Sequence, residues 1–113
     1  VPDPSKIPME LTVAELSQRG QAQLDDYNYK AAEVYYDAII QRYGTDLGAL
    51  TSAEFEIAHI RIKQKKWDEA KPMLEAIVAR YDETGGAGLP PEFLTLARND
   101  LARIPVPKTE ETK

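Results

Sequence analysis

Cysteine is absent from the sequence, and histidine occurs once, as His59 among 113 residues. Without cysteine there are no disulfides, no thiol catalysis and no cysteine metal sites. A Ser-His-Asp site would need His59 as its base, yet the chain has no Gly-x-Ser-x-Gly motif. A zinc site built on one histidine and scattered carboxylates would be unusual. We therefore expect a protein that is not an enzyme, with no catalytic residues, no metal and no cofactor, and we expect His59 to have no catalytic role.

Long hydrophobic runs and an excess of basic charge are also missing. No apolar run approaches the roughly 20 residues that a membrane-spanning helix needs. The formal net charge of −5 argues against nucleic acid as a partner, because phosphate repels an acidic surface. The basic residues at 61–66 are better explained as cations at the end of a helix, where they offset its dipole. The glycines at 85–88 lack the Gly-Lys-Ser/Thr of a phosphate loop and indicate a hinge.

Proline marks the two ends of the chain. Pro2, Pro4 and Pro8 each remove a backbone donor and favour extended backbone at the preceding residue. Residues 1–10 are therefore predicted to form an extended N-terminal arm. Residues 105–113 are predicted to form a disordered tail, and residues 11–104 a single helical domain. We expect both ends to be dispensable for folding.

The central part of the sequence has nearly continuous helical periodicity. Thr12 with Glu15 fits a capping box and predicts the start of the first helix. Thr51 with Glu54 repeats this signature and predicts the start of the third helix, after a loop at residues 44–48. The predicted second, fourth and fifth helices cover about 29–43, 68–81 and 90–104. No segment has the sustained two-residue alternation of a strand, so the predicted fold class is all-α.

An internal repeat organises these helices. Six residues of one segment match six of another, in type and in register, at a constant offset of 38. The pairs are Tyr29 and Trp67, Ala32 and Ala70, Tyr36 and Leu74, Ile39 and Ile77, Arg42 and Arg80, and Tyr43 and Tyr81. The chain is therefore interpreted as two copies of one helical hairpin followed by a closing helix.

The spacing within each copy resembles the tetratricopeptide repeat. The matching positions are Gly20, Tyr29, Ala32, Tyr36 and Ile39 in the first copy, and Ala58, Trp67, Ala70, Leu74 and Ile77 in the second. The resemblance covers residues 12–82 and implies a right-handed α-solenoid of two hairpins, with residues 90–104 as a C-terminal capping helix. The sequence departs from the family at the turn glycine, which is replaced by Tyr27 and Lys65, and at Arg61, where an aromatic residue is usual.

The same resemblance implies where a partner would bind. In such arrays the first helix of each hairpin lines a concave inner wall. By family correspondence, this wall is expected to contain Ser17, Gln21, Leu24, Asp25, Phe55, His59, Ile62 and Lys63, with Leu94 and Arg98 from the closing helix. We expect Phe55 to anchor the partner and Lys63 to pair with an acidic group.

The expected function is that of an adaptor or scaffold which binds a protein or peptide in this groove. A structural, self-assembling unit that forms homo-oligomers is the alternative, because two hairpins are few for a stable array. The proline-rich arm and the Arg-Tyr pairs also resemble the tetratricopeptide lipoproteins and envelope-assembly factors of Gram-negative bacteria and spirochaetes. This resemblance implies a periplasmic or envelope location, with membrane attachment only through a lipid anchor ahead of the arm. The cytoplasm is the alternative.

Overall fold

The computed structural model describes residues 1–106 and contains five α-helices. They are α1 (Val13–Asp25), α2 (Tyr29–Tyr43), α3 (Leu47–Lys63), α4 (Trp67–Thr84) and α5 (Glu92–Arg103), preceded by a 3₁₀ turn at Pro4–Lys6. Within residues 1–106 there is no strand, so the all-α prediction is confirmed. No helix in this part of the chain is long and apolar enough to cross a membrane.

Consecutive helices pack against each other, and α3 also contacts α5. Helix α3 is the central element because it is apolar on two faces. Ala53 and Ile57 belong to a hydrophobic core shared with α1 and α2, whereas Phe55 and Ala58 belong to a second core shared with α4 and α5. The two cores therefore meet at α3, which joins the first hairpin to the rest of the molecule.

The two predicted capping boxes have different outcomes. The first is confirmed: Thr12 Oγ1 accepts from the N–H of Glu15 at 3.1 Å, and the Glu15 side chain accepts from the N–H of Thr12 at 3.0 Å. The second is wrong, because α3 begins at Leu47 and is capped by Asp46. Thr51 is buried one turn inside α3, where its hydroxyl donates to the Leu47 carbonyl at 2.8 Å. The predicted loop at 44–48 is correspondingly shorter.

The turns within the two hairpins have the same backbone geometry, 38 residues apart. Tyr27 and Lys65 have φ angles of 60° and 59°. Their N–H groups donate to carbonyls three residues earlier, at 2.9 and 3.0 Å. The next residues, Asn28 and Lys66, donate to carbonyls five residues earlier, both at 2.8 Å. This pair of bonds is the Schellman motif, in which a left-handed residue ends the helix.

The N-terminal arm is not the free, fully extended segment that its prolines predict. It turns at Pro4–Lys6, and Ile7 is buried in the first core with 5% of its surface exposed. The guanidinium of Arg42 donates to the carbonyls of Pro8 at 2.8 Å and Ile7 at 2.9 Å. These contacts attach the arm to α2, and the Pro8 carbonyl also accepts from the N–H of Leu11 at 3.4 Å. The arm is therefore part of the folded domain.

The segment between α4 and α5 is an ordered turn. Gly85, Gly86 and Gly88 all have positive φ, which a residue with a side chain rarely adopts. Leu89 is buried in the second core, and the Tyr81 hydroxyl donates to the carbonyl of Pro90. At the other end of α5, residues 105 and 106 have no regular structure and are exposed. The rest of the predicted disordered tail, residues 107–113, lies outside the described residues.

Candidate functional site

Helices α1, α3 and α5 enclose an open cavity of about 530 Å³. Six of the ten residues predicted to line a groove border this cavity: Gln21, Leu24, Asp25, Phe55, His59 and Lys63. Ser17 lies beside it, in a neighbouring depression of about 370 Å³ that shares Gln21 and Glu56 with the cavity. The first helices of both hairpins therefore face one concave space, as the family resemblance implies.

Ile62 does not belong to this wall. Only 5% of its surface is exposed, and it packs in the second core with α4 and α5. It precedes Lys63 by one residue, a rotation of about 100° around α3, which is enough to turn it from the cavity to the interior. The prediction that Ile62 lines the groove is wrong for this reason.

The predicted contribution of α5 is also wrong. Leu94 packs against the second core, and Arg98 is exposed on the outer side of the helix. The residues of α5 that line the cavity are Leu96, Asn99, Asp100 and Arg103. These four share one face, at spacings of three and four residues, and this face is rotated away from Leu94 and Arg98. The 38-residue repeat does not extend into α5, so it could not fix this rotation.

His59 and Asp100 form a pair across the cavity floor. Nδ1 of His59 lies 2.6 Å from Oδ2 of Asp100, and Asp100 is only 2% exposed. Arg103 donates to the other carboxylate oxygen of Asp100 at 3.4 Å. Since a carboxylate only accepts, it holds the proton of a neutral imidazole on Nδ1 and leaves the lone pair on Nε2. No residue within 1–106 contacts Nε2 by a hydrogen bond.

Phe55 holds the imidazole in place. The rings of Phe55 and His59 stack with centroids 5.5 Å apart and an angle of 22° between their planes. Phe55 also contacts Phe93 of α5, with ring centroids 5.6 Å apart. Only 3% of Phe55 is exposed, so it supports the wall and offers a partner little surface. This burial disagrees with the expectation that Phe55 is the main anchor.

Glu56 is the carboxylate of the lining that has no described hydrogen-bond donor. Asp25 accepts from Nε2 of Gln21 at 3.0 Å, and Asp100 is bound by His59 and Arg103. Glu56 has no such contact with any of residues 1–106. Burial raises its pKa above the ordinary value of 4.5; the nearby Asp100 raises it further, and His59 opposes the change.

The lining of the cavity combines acidic, basic and apolar side chains. Its members within residues 1–106 include no serine, threonine or cysteine that His59 could activate as a nucleophile. In the same part of the chain, no group of three histidine, cysteine, aspartate or glutamate residues is arranged to hold a metal ion. What the cavity offers is a set of fixed acceptors, two cations at its rim and apolar side walls.

Several cavity residues were not predicted from the sequence. Glu56 has a local signal, since it precedes His59 by three residues and so shares its helix face. The sequence signal for Asp100 is weaker: it is an acidic residue between the core positions Ala97 and Leu101. Tyr27, the left-handed residue of the first turn, is also in the lining and is 77% exposed.

Comparison with known proteins finds a longer relative of this chain. The sequence is 38% identical over 103 residues to an uncharacterized protein of Treponema pallidum (strain Nichols). The similarity covers 91% of this chain and 41% of that protein, so the chain spans less than half of its relative's length. No protein-family model matches the sequence, and no solved structure gives a significant match.

Proposed function

We propose that this chain is a protein-interaction module of tetratricopeptide type, which binds an extended or helical segment of a partner protein in the cavity between α1, α3 and α5. The observation that carries the proposal is the convergence of six predicted wall residues, from two separate hairpins, on one open cavity. A site that is concave, pre-formed and lined by mixed polar and apolar groups suits a peptide segment. The partner is proposed to be a protein, with no nucleic acid.

The tetratricopeptide assignment is supported by the hairpin turns. In this family a glycine stands at the turn, and Tyr27 and Lys65 occupy its position. Their φ angles of 60° and 59° belong to the left-handed region that glycine favours. The sequence thus departs from the family in residue type while the backbone keeps the conformation that the glycine would serve. Two hairpins with the same turn, stacked through α3, support a right-handed solenoid with α5 as its cap.

We extend the proposal to the bacterial cell envelope. The relative comes from Treponema pallidum, a spirochaete, and spirochaetes are one of the groups whose tetratricopeptide lipoproteins the sequence resembles.

Site-specific photo-crosslinking tests the binding site. Leu96 and Arg98 are close neighbours on α5, but Leu96 lines the cavity and Arg98 faces outward. A benzoyl-phenylalanine in place of each residue gives a matched pair of probes in the organism that produces the protein. We expect a discrete protein adduct from position 96 and none from position 98.

The same experiment distinguishes the alternative. Adducts of twice the chain's own mass from either position would favour the self-assembling unit, and sedimentation of the purified chain would then show an oligomer. Adducts from position 98 alone would contradict the cavity as the binding site. Circular dichroism of both variants before irradiation checks that each is folded, so that a missing adduct is not due to unfolding.

A further inference from the structure

We propose that the floor of the cavity binds a protonated primary amine of the partner, between the carboxylate of Glu56 and Nε2 of His59. The amine is a lysine side chain or a chain N-terminus. This inference rests on the proposed function and specifies the chemistry of the same site. It follows from three features of the cavity: an acceptor on His59, a carboxylate without a donor, and apolar walls above both.

The first feature is the fixed orientation of His59. Asp100 accepts from Nδ1 at 2.6 Å, and Phe55 stacks on the ring, so both the tautomer and the ring plane are set. In its neutral form, the imidazole then presents the lone pair of Nε2. A lone pair held in a part-buried site accepts a hydrogen bond and repels another acceptor. A ligand group that meets neutral His59 at this point is therefore a hydrogen-bond donor.

The second feature is Glu56, which lies one helical turn before His59 on the same face of α3. It is half-buried, and no residue within 1–106 donates to it. Burial deprives an ionised carboxylate of part of its stabilisation by water. A nearby cation stabilises the charge in place of that water, so such a carboxylate favours a cationic ligand. Burial is the main cause of the raised pKa of Glu56, and this agrees with a carboxylate that no cation of the fold neutralises.

The third feature is the charge and shape of the remaining lining. Asp25, Glu56 and Asp100 face Lys63 and Arg103, so the lining holds one more carboxylate than cations. Arg103 is already bound to Asp100. Asp25 accepts from the neutral Gln21 amide, whereas Glu56 has neither a cation nor a donor among residues 1–106, so Glu56 is the lining carboxylate most open to a ligand cation.

Leu24 and Leu96 form apolar walls of the same cavity. Such walls suit the methylene stem of a lysine, whose ammonium then reaches the acceptors below. A primary ammonium offers three donors, and the floor offers the Glu56 oxygens together with Nε2 of His59. A divalent metal ion is a poorer fit, since no three metal-ligating groups cluster within residues 1–106.

The test is titration of the full 113-residue chain with three short peptides, monitored by two-dimensional NMR. The first is a blocked pentapeptide, acetyl-Gly-Ala-Lys-Ala-Gly-amide, and the second replaces its lysine by norleucine. The third has norleucine and a free N-terminus. We expect saturable shifts of the Glu56 and His59 signals with at least one of the two amines. Binding of the first or the third identifies a lysine side chain or an N-terminus, respectively.

Two variants connect these shifts to the proposed groups. Glu56→Gln is expected to weaken amine binding by about tenfold, the effect of one charge-assisted hydrogen bond. Glu75→Gln, on the exposed side of α4, is the matched control and is expected to change nothing. In Asp100→Asn, the amide oxygen turns to Arg103 and the amide nitrogen to Nδ1, so the imidazole proton moves to Nε2. We expect weaker amine binding together with a changed tautomer in the ¹⁵N spectrum of His59.

The inference is overturned if the blocked norleucine peptide shifts the same signals as the amines, or if neither amine shifts them. It is also overturned if amine binding survives Glu56→Gln unchanged. Adducts at position 96 without amine binding would retain the proposed function and reject only the amine. Amine binding without adducts at position 96 would retain the cation site and reject the protein-binding function.

Discussion

Gly20 of α1 faces the ring of Tyr36 of α2 so closely that a β-carbon on Gly20 would lie 2.7 Å from Cζ of Tyr36. The corresponding residues of the second hairpin, 38 positions later, are Ala58 and Leu74, both completely buried. In the first hairpin, the larger Tyr36 faces a glycine. In the second hairpin, the smaller Leu74 corresponds to Tyr36, and an alanine takes the place of the glycine. Close packing requires this exchange of volume, because two helices at a fixed separation leave a fixed space.

We expect Gly20→Ala to destabilise the fold by about 1–3 kcal/mol through overpacking, although alanine is the better helix former. Combined with Tyr36→Leu, the same change recreates the residue pair of the second hairpin and recovers part of the loss. Denaturant unfolding of the two single variants and the double variant measures the coupling. Strictly additive losses would contradict the proposed volume exchange.

A second prediction concerns the left-handed turn residues. Lys65 has a φ of 59°, which costs a residue with a side chain about 1–2 kcal/mol. Lys65→Gly removes this cost, offset in part by the greater freedom of glycine in the unfolded chain. We expect a net gain of roughly 0.5–1 kcal/mol.

The neighbouring Lys66 provides the control for this prediction. Its φ is −89°, so glycine relieves no strain there, and Lys66→Gly is expected to lower stability. Thermal unfolding of the two variants is the measurement. Equal effects of both substitutions would show that Lys65 is not strained.

The capping boxes show how far local sequence predicts this fold. Thr12 and Thr51 are each followed by glutamate three residues later, and only Thr12 caps a helix. Asp46 lies five residues ahead of Thr51, and the apolar residues between them allow the helix to start earlier. Thr51 is then needed inside the fold, where its hydroxyl accepts from Arg80 at 2.9 Å. A long-range contact of this kind has no local signature.

The cavity residues also divide into those that the sequence predicts and those that depend on long-range contacts. The wall residues on α1 and α3 were predicted from the resemblance to the tetratricopeptide repeat, which covers both of these helices. The face of α5 depends on the turn at residues 85–88, whose three positive φ angles set the rotation of the helix that follows. The partnership of His59 with Asp100 joins residues 41 positions apart, and no spacing rule connects them.

A third prediction replaces the expectation that both chain ends are dispensable. Removal of residues 1–8 eliminates the buried Ile7 and the carbonyl partners of Arg42. The burial of an isoleucine contributes about 1.5–3 kcal/mol, so the truncated chain should be less stable by at least this order. Removal of residues 1–2 is the control, because Val1 is 86% exposed. Equal melting temperatures for the two truncations would mean that the arm contributes nothing.

The last prediction concerns Glu56 and the pH dependence of stability. Burial raises its pKa in the folded chain above 4.5, so its ionised form is less favourable in the fold than in the unfolded chain. The folded protein therefore loses stability through Glu56 as pH rises through the raised pKa, and none of this loss is present below the unfolded value. Glu56→Gln removes the ionisation. We expect the variant to melt at a higher temperature than the parent at neutral pH and at the same temperature near pH 3.

Glu75→Gln serves again as the control, since Glu75 is exposed and its substitution should leave the difference between the two pH values unchanged. A binding residue often lowers the stability of the free protein, because its charge is stabilised only when the ligand is bound. Glu56 is expected to have both effects: lower stability when free and stronger binding of the amine. The opposite result, a Gln variant that melts lower at neutral pH, would mean that the Glu56 carboxylate already has a partner within the fold. It would thereby remove the physical basis for an amine at the cavity floor.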